Sequence, residues 1–244
     1  MLNYSFSFII PAYNEEKNIN GAIDEVIGVV KKCNIKKYEI IVINDCSSDK
    51  TLQIVTARVV KNLPIKIINN LKNYGFGGSY KLGVQKAIMD YVIMIPGDNA
   101  HPGNGIIPIL NLAGSADIII PYSKNPGTRS LARRIISFLF TFFVNLLFLN
   151  KVPYYNGLVL HKTKLIQSIE IKTNSFAYQA EGLVRLLSSG ASFISVGVDI
   201  NERDHGKSSA FKLKNIFFVI KAVIFLRIEL FFTFLKNQSY KKLL

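Results

Sequence analysis

Residues 6–16 read FSFIIPAYNEE, and residues 39–51 read EIIVINDCSSDKT. Each stretch is an apolar run that ends in a polar loop, and residues with helical spacing follow each loop, over 18–30 and 51–60. The alternation continues with apolar runs at 65–68, 91–95 and 117–120 and with helical spacing at 78–89. Apolar strands that alternate with amphipathic helices are typical of a parallel sheet covered by helices on both faces. The sequence therefore predicts an α/β fold.

Ligands of parallel sheets bind at the carboxyl ends of the strands, so the loops that follow the apolar runs are the candidate site. Asp98 comes shortly after the run 91–95, and a carboxylate at this edge can hold a divalent cation that bridges phosphates. An aspartate after a glycine is also a frequent turn former, so both roles stay open. Asp45 and Asp49 follow the second strand, where aspartates often cap the next helix. We expect Ser48 or Asp49 to be the cap, which leaves Asp45 for another role.

The composition limits the classes of protein to which the chain can belong. It has 244 residues with a formal net charge of +14, and 49% of the residues are hydrophobic. So large an apolar fraction excludes a disordered chain, and two cysteines are too few for a disulfide-stapled secreted module. High apolar content combined with high positive charge fits a protein that binds either nucleic acid or an anionic membrane surface.

The composition of the C-terminal segment favours an anionic membrane surface over nucleic acid as the partner. Residues 203–244 contain nine Lys and Arg and only two acids, so this segment carries +7, half of the net charge of the chain. The segment includes the apolar run 216–235. Basic residues interleaved with bulky aliphatic side chains favour lipid over a nucleic-acid groove. Three charges within the run make a membrane span unfavourable, although a span remains the alternative. We predict a globular domain over residues 1–211 and a membrane-surface helix within 212–244.

A second apolar run covers residues 135–149 and contains no charged residue. Fifteen residues are fewer than a membrane span usually needs. Ser137, Thr141 and Asn145 recur at every fourth position and would form one narrow polar stripe on a helix. Two interpretations stay open, which are a core helix with a solvated stripe and a helix that lies in the bilayer surface.

Five short motifs occur in order along the chain. They are IPAYNEE at 10–16, INDCSSDKT at 43–51, NYGFGG at 73–78, GDNAHP at 97–102 and ERDHGKSS at 202–209. The first three resemble family 2 glycosyltransferases of the GT-A fold. The last two are similar to the polyprenyl-phosphate branch of that family, which is dolichol-phosphate mannose synthase-like. The resemblance implies a Rossmann-like, mostly parallel central sheet flanked by helices, with an amphipathic C-terminal helix at the membrane surface.

The resemblance also implies roles on the donor side of the site. Asp98 matches the last acid of the Asp-x-Asp metal motif and would hold Mg²⁺ or Mn²⁺, although Pro96 stands in place of the first acid. Asp45 would contact the base of the nucleotide. The rest of the nucleotide pocket would be lined by Pro11, Ala12, Tyr13 and Glu15.

The acceptor side follows from the same resemblance. Arg203 and Lys207 match basic residues that close over the donor diphosphate, and Glu181 matches an acidic position on a helix beside the acceptor site. The acceptor phosphate would be held by Lys124, Arg129, Arg134 and Ser137. The glycine-rich stretch 75–78 lacks the spacing of a nucleotide-binding loop, so we interpret it as tight backbone packing rather than as a phosphate contact.

The implied reaction is inverting transfer of a sugar from a UDP- or GDP-linked donor to a polyprenyl phosphate, undecaprenyl or dolichyl, in cell-envelope glycan synthesis. The acceptor phosphate is already anionic, so this reaction requires no general base. One alternative is transfer to a sugar hydroxyl of a lipid-linked glycan, which needs a base, and Glu181 is the candidate for it. Another is a catalytically silent relative that binds only nucleotide or membrane.

The expected location is the cytoplasmic face of the membrane, with the chain bound as a peripheral or monotopic protein. No basic and apolar leader follows Met1, so nothing in the sequence marks the chain for export. A separate membrane-protein partner is a further hypothesis, whereas a nucleic-acid partner is not expected.

Overall fold

The computed structural model describes residues 3–59, 63–125, 127, 130–199 and 213–241, with the side chains of the last helix over 214–233. The strands are β1 (Phe6–Ala12), β2 (Tyr38–Asn44), β3 (Ile65–Asn69), β4 (Tyr91–Met94), β5 (Ile118–Ser123), β6 (Leu160–Lys162) and β7 (Phe193–Val198). The helices are α1 (Ile19–Lys32), α2 (Thr51–Val59), α3 (Gly75–Lys86), α4 (Gly103–Leu110), α5 (Leu131–Phe148), α6 (Thr163–Gln167), α7 (Tyr178–Ser188) and α8 (Leu213–Lys241). Each strand and helix predicted from the sequence is present, with its ends shifted by a few residues.

The strands form one sheet in the order β3-β2-β1-β4-β6-β5-β7. β1 pairs in parallel with β2 and β4, β2 pairs in parallel with β3, and β5 pairs in parallel with β7. β6 runs antiparallel to both β4 and β5. The sheet is therefore mostly parallel, as expected. The carboxyl ends of β1, β2 and β4 meet at one edge, which places the loops that follow them side by side.

Both faces of the sheet are covered, which explains why β1, β2 and β4 are buried along their length without alternation. On β1, Phe8 and Ile10 belong to a hydrophobic cluster with α1 and α4, whereas Ile9 belongs to a cluster with α3 and α7 on the other face. The second cluster also includes Val144 of α5 and Leu226 of α8. The two apolar helices are therefore attached to the same face of the sheet.

α5 turns its apolar surface outward. Val144 is its buried residue, and the polar stripe of Ser137, Thr141 and Asn145 is half-buried. Asn145 exchanges hydrogen bonds with the backbone of Val152, at 2.8 and 3.1 Å. This orientation is the reverse of a core helix with a solvated stripe, so that interpretation of residues 135–149 is wrong. Within the described part of the chain, α5 is the one helix long and apolar enough to cross a membrane by length and composition.

α8 corresponds to the predicted C-terminal segment. It is longer than the apolar run 216–235 and contacts both α5 and α7. Val223 and Leu226 are buried against the core, whereas residues such as Phe217, Phe225 and Phe232 are exposed. The predicted boundary between residues 211 and 212 lies outside the described residues, so the division of the chain into two parts stays a prediction.

Candidate active site

The loops after β1 and β2 are joined by hydrogen bonds. Asn14 Oδ1 accepts from the backbone N–H of Ser48 at 2.8 Å, and the N–H of Glu16 donates to Asp49 Oδ2 at 3.0 Å. Asp49 Oδ1 accepts from the N–H of Thr51 at 2.9 Å, which caps the start of α2. Of the two residues expected to cap this helix, Ser48 and Asp49, it is Asp49 that does so. Asp45 has a different role.

Asp45 is buried at the end of β2, where its carboxylate holds the loop before α3. Oδ1 accepts from Asn70 Nδ2 at 2.7 Å and from the N–H of Tyr74 at 2.9 Å, and Oδ2 accepts from the N–H of Gly75 at 2.9 Å. Gly75 has a φ of 76°, which favours glycine. Asp45 thus shapes the loop that it faces, and its contact with the nucleotide base stays a prediction.

Asp98 lies in the loop after β4 at the same edge of the sheet. The N–H of Gly97 donates to the carbonyl oxygen of Pro11 at 3.1 Å, and a Cβ on Gly97 would lie 3.0 Å from that oxygen. Glycine therefore allows the close approach of the two loops. Asp98 Oδ1 accepts from the N–H of Ala100 at 3.1 Å, and the residue is only 4% exposed.

A cavity of about 1490 Å³ extends from this edge to the two apolar helices. Its polar end is lined by the residues predicted for the nucleotide pocket, which are Pro11, Ala12, Tyr13, Glu15, Asp45 and Asp98. Its apolar end is lined by Ile136, Leu139, Phe140 and Phe143 of α5 and by Val219, Ala222, Phe225 and Leu226 of α8. The cavity therefore combines a polar end with an apolar end of the kind that encloses hydrocarbon.

The polar end fits a divalent cation only in part. In the described ranges there is no group of three or more His, Cys, Asp and Glu residues that could hold a metal by itself. Asn99 is not among the residues that line the cavity, and its side chain packs against Gly21 of α1. Asp98 does supply a carboxylate oxygen, a ligand that Mg²⁺ and Mn²⁺ prefer. Within the described ranges, Asp98 would hold such a cation, and a bound diphosphate and water would have to supply further ligands.

The family model of glycosyl transferase family 2 matches residues 7–160. The chain belongs to this family. A dolichyl-phosphate beta-glucosyltransferase of Trichomonas vaginalis is 34% identical over 98 residues, which is 38% of this chain and 29% of that protein. An undecaprenyl-phosphate 4-deoxy-4-formamido-L-arabinose transferase of Pectobacterium atrosepticum is 27% identical over 134 residues, which is 54% of this chain and 40% of that protein. The match thus spans less than half of the length of either relative.

A solved structure shows that the fold is the expected one. The crystal structure of glucosyl-3-phosphoglycerate synthase from Mycobacterium tuberculosis, in complex with Mn²⁺, UDP and phosphoglyceric acid, aligns with a TM-score of 0.67. The alignment covers 92% of this chain and 79% of that chain at 18% identity. The family 2 chain therefore has the mixed α/β architecture of GT-A glycosyltransferases.

In this family 2 chain, residues 172–176 form one wall of the cavity and pack against the first turn of α3. The N–H of Gly77 donates to the carbonyl oxygen of Asn174 at 3.2 Å. A Cβ on Gly77 would lie 2.8 Å from that oxygen and from the carbonyl oxygen of Ser175. The glycine-rich stretch therefore serves tight backbone packing, as predicted from its spacing.

We expect Gly77→Ala to lower the free energy of unfolding by about 2 kcal/mol, because a rigid backbone must move to admit the methyl group. Thermal unfolding followed by circular dichroism measures the effect. Gly28→Ala in α1 is the matched control, since no atom lies within 4 Å of its added Cβ, and this change should stabilise the helix by about 1 kcal/mol. Equal effects from both variants would contradict the packing role of Gly77.

Glu181 on α7 lies on the same wall and is held on several sides. Its oxygens accept from the N–H groups of Lys172 at 3.0 Å and Thr173 at 2.9 Å. Its Oε1 also accepts from Arg185 Nε at 2.9 Å. These contacts make Glu181 a residue that positions the loop 172–176, whereas a general base needs a lone pair directed at its substrate.

The residues predicted for the acceptor phosphate differ in where the described part of the chain places them. Ser137 lines the cavity, whereas Arg134 is exposed and is not among the lining residues. Lys124 lies across Gly197 of β7. Arg129, Arg203 and Lys207 lie outside the described residues, so their predicted roles stay predictions.

Several further residues that line the cavity lie outside the sequence motifs. Arg133 lines it one position before the predicted Arg134, because the helical register sets which arginine faces inward. Lys172, Arg185 and Glu229 line it as well, and they come from three separate parts of the chain. Hydrogen bonds from Arg185 and then from Lys172 lower the pKa of Glu229 to about 2, against the opposing effect of burial. A lone acid within an apolar, basic helix was the one signal that could have identified Glu229.

Proposed function

We propose that this chain transfers a sugar, with inversion, from a nucleoside diphosphate donor to a polyprenyl phosphate at the cytoplasmic surface of a membrane. The observation that carries the proposal is the cavity, which joins the polar edge of the sheet to the apolar side chains of α5 and α8. A lipid phosphate needs both environments within one site. The relatives named for dolichyl-phosphate and undecaprenyl-phosphate transfer support the same acceptor class.

The polar end supports the donor half of the reaction. Pro11, Ala12 and Asp45 would border the nucleotide, and Asp98 would lie beside its diphosphate. A divalent cation held by Asp98 would neutralise the charge that develops on the leaving diphosphate. Arg203 and Lys207 are proposed to add positive charge on the same side. The acceptor phosphate is an anionic nucleophile, so positioning and charge neutralisation would suffice for direct displacement.

The exposed faces of α5 and α8 support the membrane half of the proposal. Phe138 and Phe142 of α5 are 69% and 57% exposed, and Phe225 of α8 is 60% exposed. Lys214, Lys221 and Arg227 lie on or beside these surfaces. Apolar side chains flanked by basic residues are typical of helices that lie in an anionic membrane surface.

The direct test uses protein in detergent with a short polyprenyl phosphate, Mg²⁺ or Mn²⁺, and a panel of radiolabelled UDP- and GDP-sugars. We expect one donor to transfer its label to the organic phase as a product labile to mild acid. The matched control is the polyprenol without its phosphate, which should accept nothing. Transfer to neither acceptor, by protein shown to bind nucleotide, would contradict the proposal and favour a glycan acceptor or a silent relative.

Glu181→Gln separates a phosphate acceptor from a sugar hydroxyl. With a phosphate acceptor we expect kcat at saturating acceptor to fall by less than about threefold, since no proton has to be removed from the nucleophile. The acceptor KM should rise, because the amide nitrogen of Gln cannot accept a hydrogen bond from the N–H of Lys172 or Thr173. A general base for a hydroxyl acceptor would instead contribute about 10²-fold or more to kcat. Initial rates at saturating acceptor make the distinction, and a large loss of kcat with an intact fold would overturn the choice of phosphate.

A further inference from the structure

Four charged side chains form a connected cluster on the cavity wall where α7 meets α8. Arg185 of α7 donates from Nη1 and Nη2 to the two oxygens of Glu229, at 3.2 and 2.9 Å. Lys172 Nζ donates to Glu229 Oε1 at 2.9 Å. Arg185 also pairs with Glu181 through Nη2, at 2.8 Å. Glu229 is the one acidic residue in the sequence of α8.

The cluster connects α8 to the loop 172–176 by direct contacts. Glu229 binds Arg185, Arg185 binds Glu181, and Glu181 accepts from the N–H groups of Lys172 and Thr173. The side chain of Arg185 is only 12% exposed, so its two acidic partners replace most of its water. A planar guanidinium that is bound on two sides is held in one orientation.

We propose that Glu229 is a positioning residue, which fixes the acceptor end of the cavity by holding Arg185 and, through Glu181, the loop 172–176. The packing of α8 against α7 and the ordering of the loop 172–176 are then coupled. The assignment of the effect to a lipid acceptor rests on the proposed function, whereas the mechanical link between α8 and the loop does not.

The contacts at the other side of the loop 172–176 indicate which kinetic constant a change at Glu229 should affect. Asn174 is held by Gly77 of α3, and α3 begins at the loop that Asp45 holds. Those contacts do not involve Glu229. Loss of Glu229 therefore loosens the wall that faces α8 and leaves the nucleotide side in place, so the KM of the acceptor should respond more than that of the donor.

Glu229→Gln tests the proposal because it keeps the shape of the side chain and removes its charge. We expect the KM for polyprenyl phosphate to rise about tenfold, in line with the loss of a partly exposed charge-assisted pair, while the donor KM and kcat change by less than about twofold. Glu170→Gln is the matched control, since it removes one acid from an exposed position nearby and should change none of the constants. Equal changes in both KM values would overturn the positioning role.

Hydrogen exchange provides a readout that does not depend on activity. We expect the amides of Lys172 and Thr173 to exchange about tenfold faster in Glu229→Gln than in the wild type, because Glu181 loses the support of a fixed Arg185. Unchanged exchange at these amides would overturn the link even if the KM rises. If the wild-type protein transfers no sugar, the proposed function fails while the exchange measurement still tests the link.

A second variant covers the case in which Glu229→Gln does not fold. Lys172→Gln removes only the single contact between Lys172 Nζ and Glu229, and leaves the paired contact with Arg185. We expect a smaller change in the same direction, about two- to threefold in both the acceptor KM and the amide exchange of Thr173. A change confined to the donor KM would contradict the proposal.

Discussion

Asp98→Ala is expected to reduce sugar transfer by about 10³-fold or more, because the variant loses the carboxylate that is proposed to hold a cation beside the diphosphate. Asp98 lies on the cavity wall after β4, and the sequence has Pro96 where a second acid of the motif would stand. No other acid in that loop can substitute for it. The measurement is the initial rate of label transfer across a range of Mg²⁺ and Mn²⁺ concentrations.

The control for this variant is a carboxylate of similar size outside the cavity. Asp24→Ala on α1 removes an exposed acid and should leave both the rate and its dependence on metal unchanged. Circular dichroism should show the same thermal transition for Asp98→Ala and the wild type within a few degrees, since the substitution keeps the backbone hydrogen bond by which this loop is held to Pro11 of β1. A variant that keeps its activity, with unchanged metal dependence, would remove Asp98 from the proposed site.

Phe138→Glu combined with Phe142→Glu is expected to lower the affinity for anionic vesicles by about 100-fold or more. The two rings stack on the exposed face of α5, with centroids 6.5 Å apart. Each substitution removes the free energy of burying an aromatic ring in the bilayer surface, about 1.5 kcal/mol or more. Each added carboxylate is also repelled by the anionic surface. Cosedimentation with phosphatidylglycerol vesicles at fixed ionic strength measures the effect.

The matched control places the same two charges on apolar residues away from α5. Leu71 and Ile88 are 94% and 70% exposed, and neither lines the cavity. Leu71→Glu combined with Ile88→Glu should reduce vesicle binding only by its added charge, which high salt screens. Equal losses in both double variants would show that net charge rather than the face of α5 drives binding.

The strands and the site edge could be predicted because their signals are local. β1 and β2 are near-continuous apolar runs that end in polar loops, and a parallel sheet places such loops at one edge. β6 escaped prediction because it has three residues, too few for a period to be recognised. β7 was missed because its burial pattern is uneven, with the exposed Ser195 in its middle.

The sequence alone determined the α/β alternation, the edge at which the site lies, and the family to which the motifs point. Three features of the site are visible only in the folded chain: Asp45 holds the loop before α3, Glu181 supports a loop rather than standing free, and Arg133 rather than Arg134 lines the cavity. The physical reason is the distance along the chain between partners. Glu229 and Arg185 are separated by 44 residues and meet only because α7 and α8 pack together, and no periodicity records such a contact.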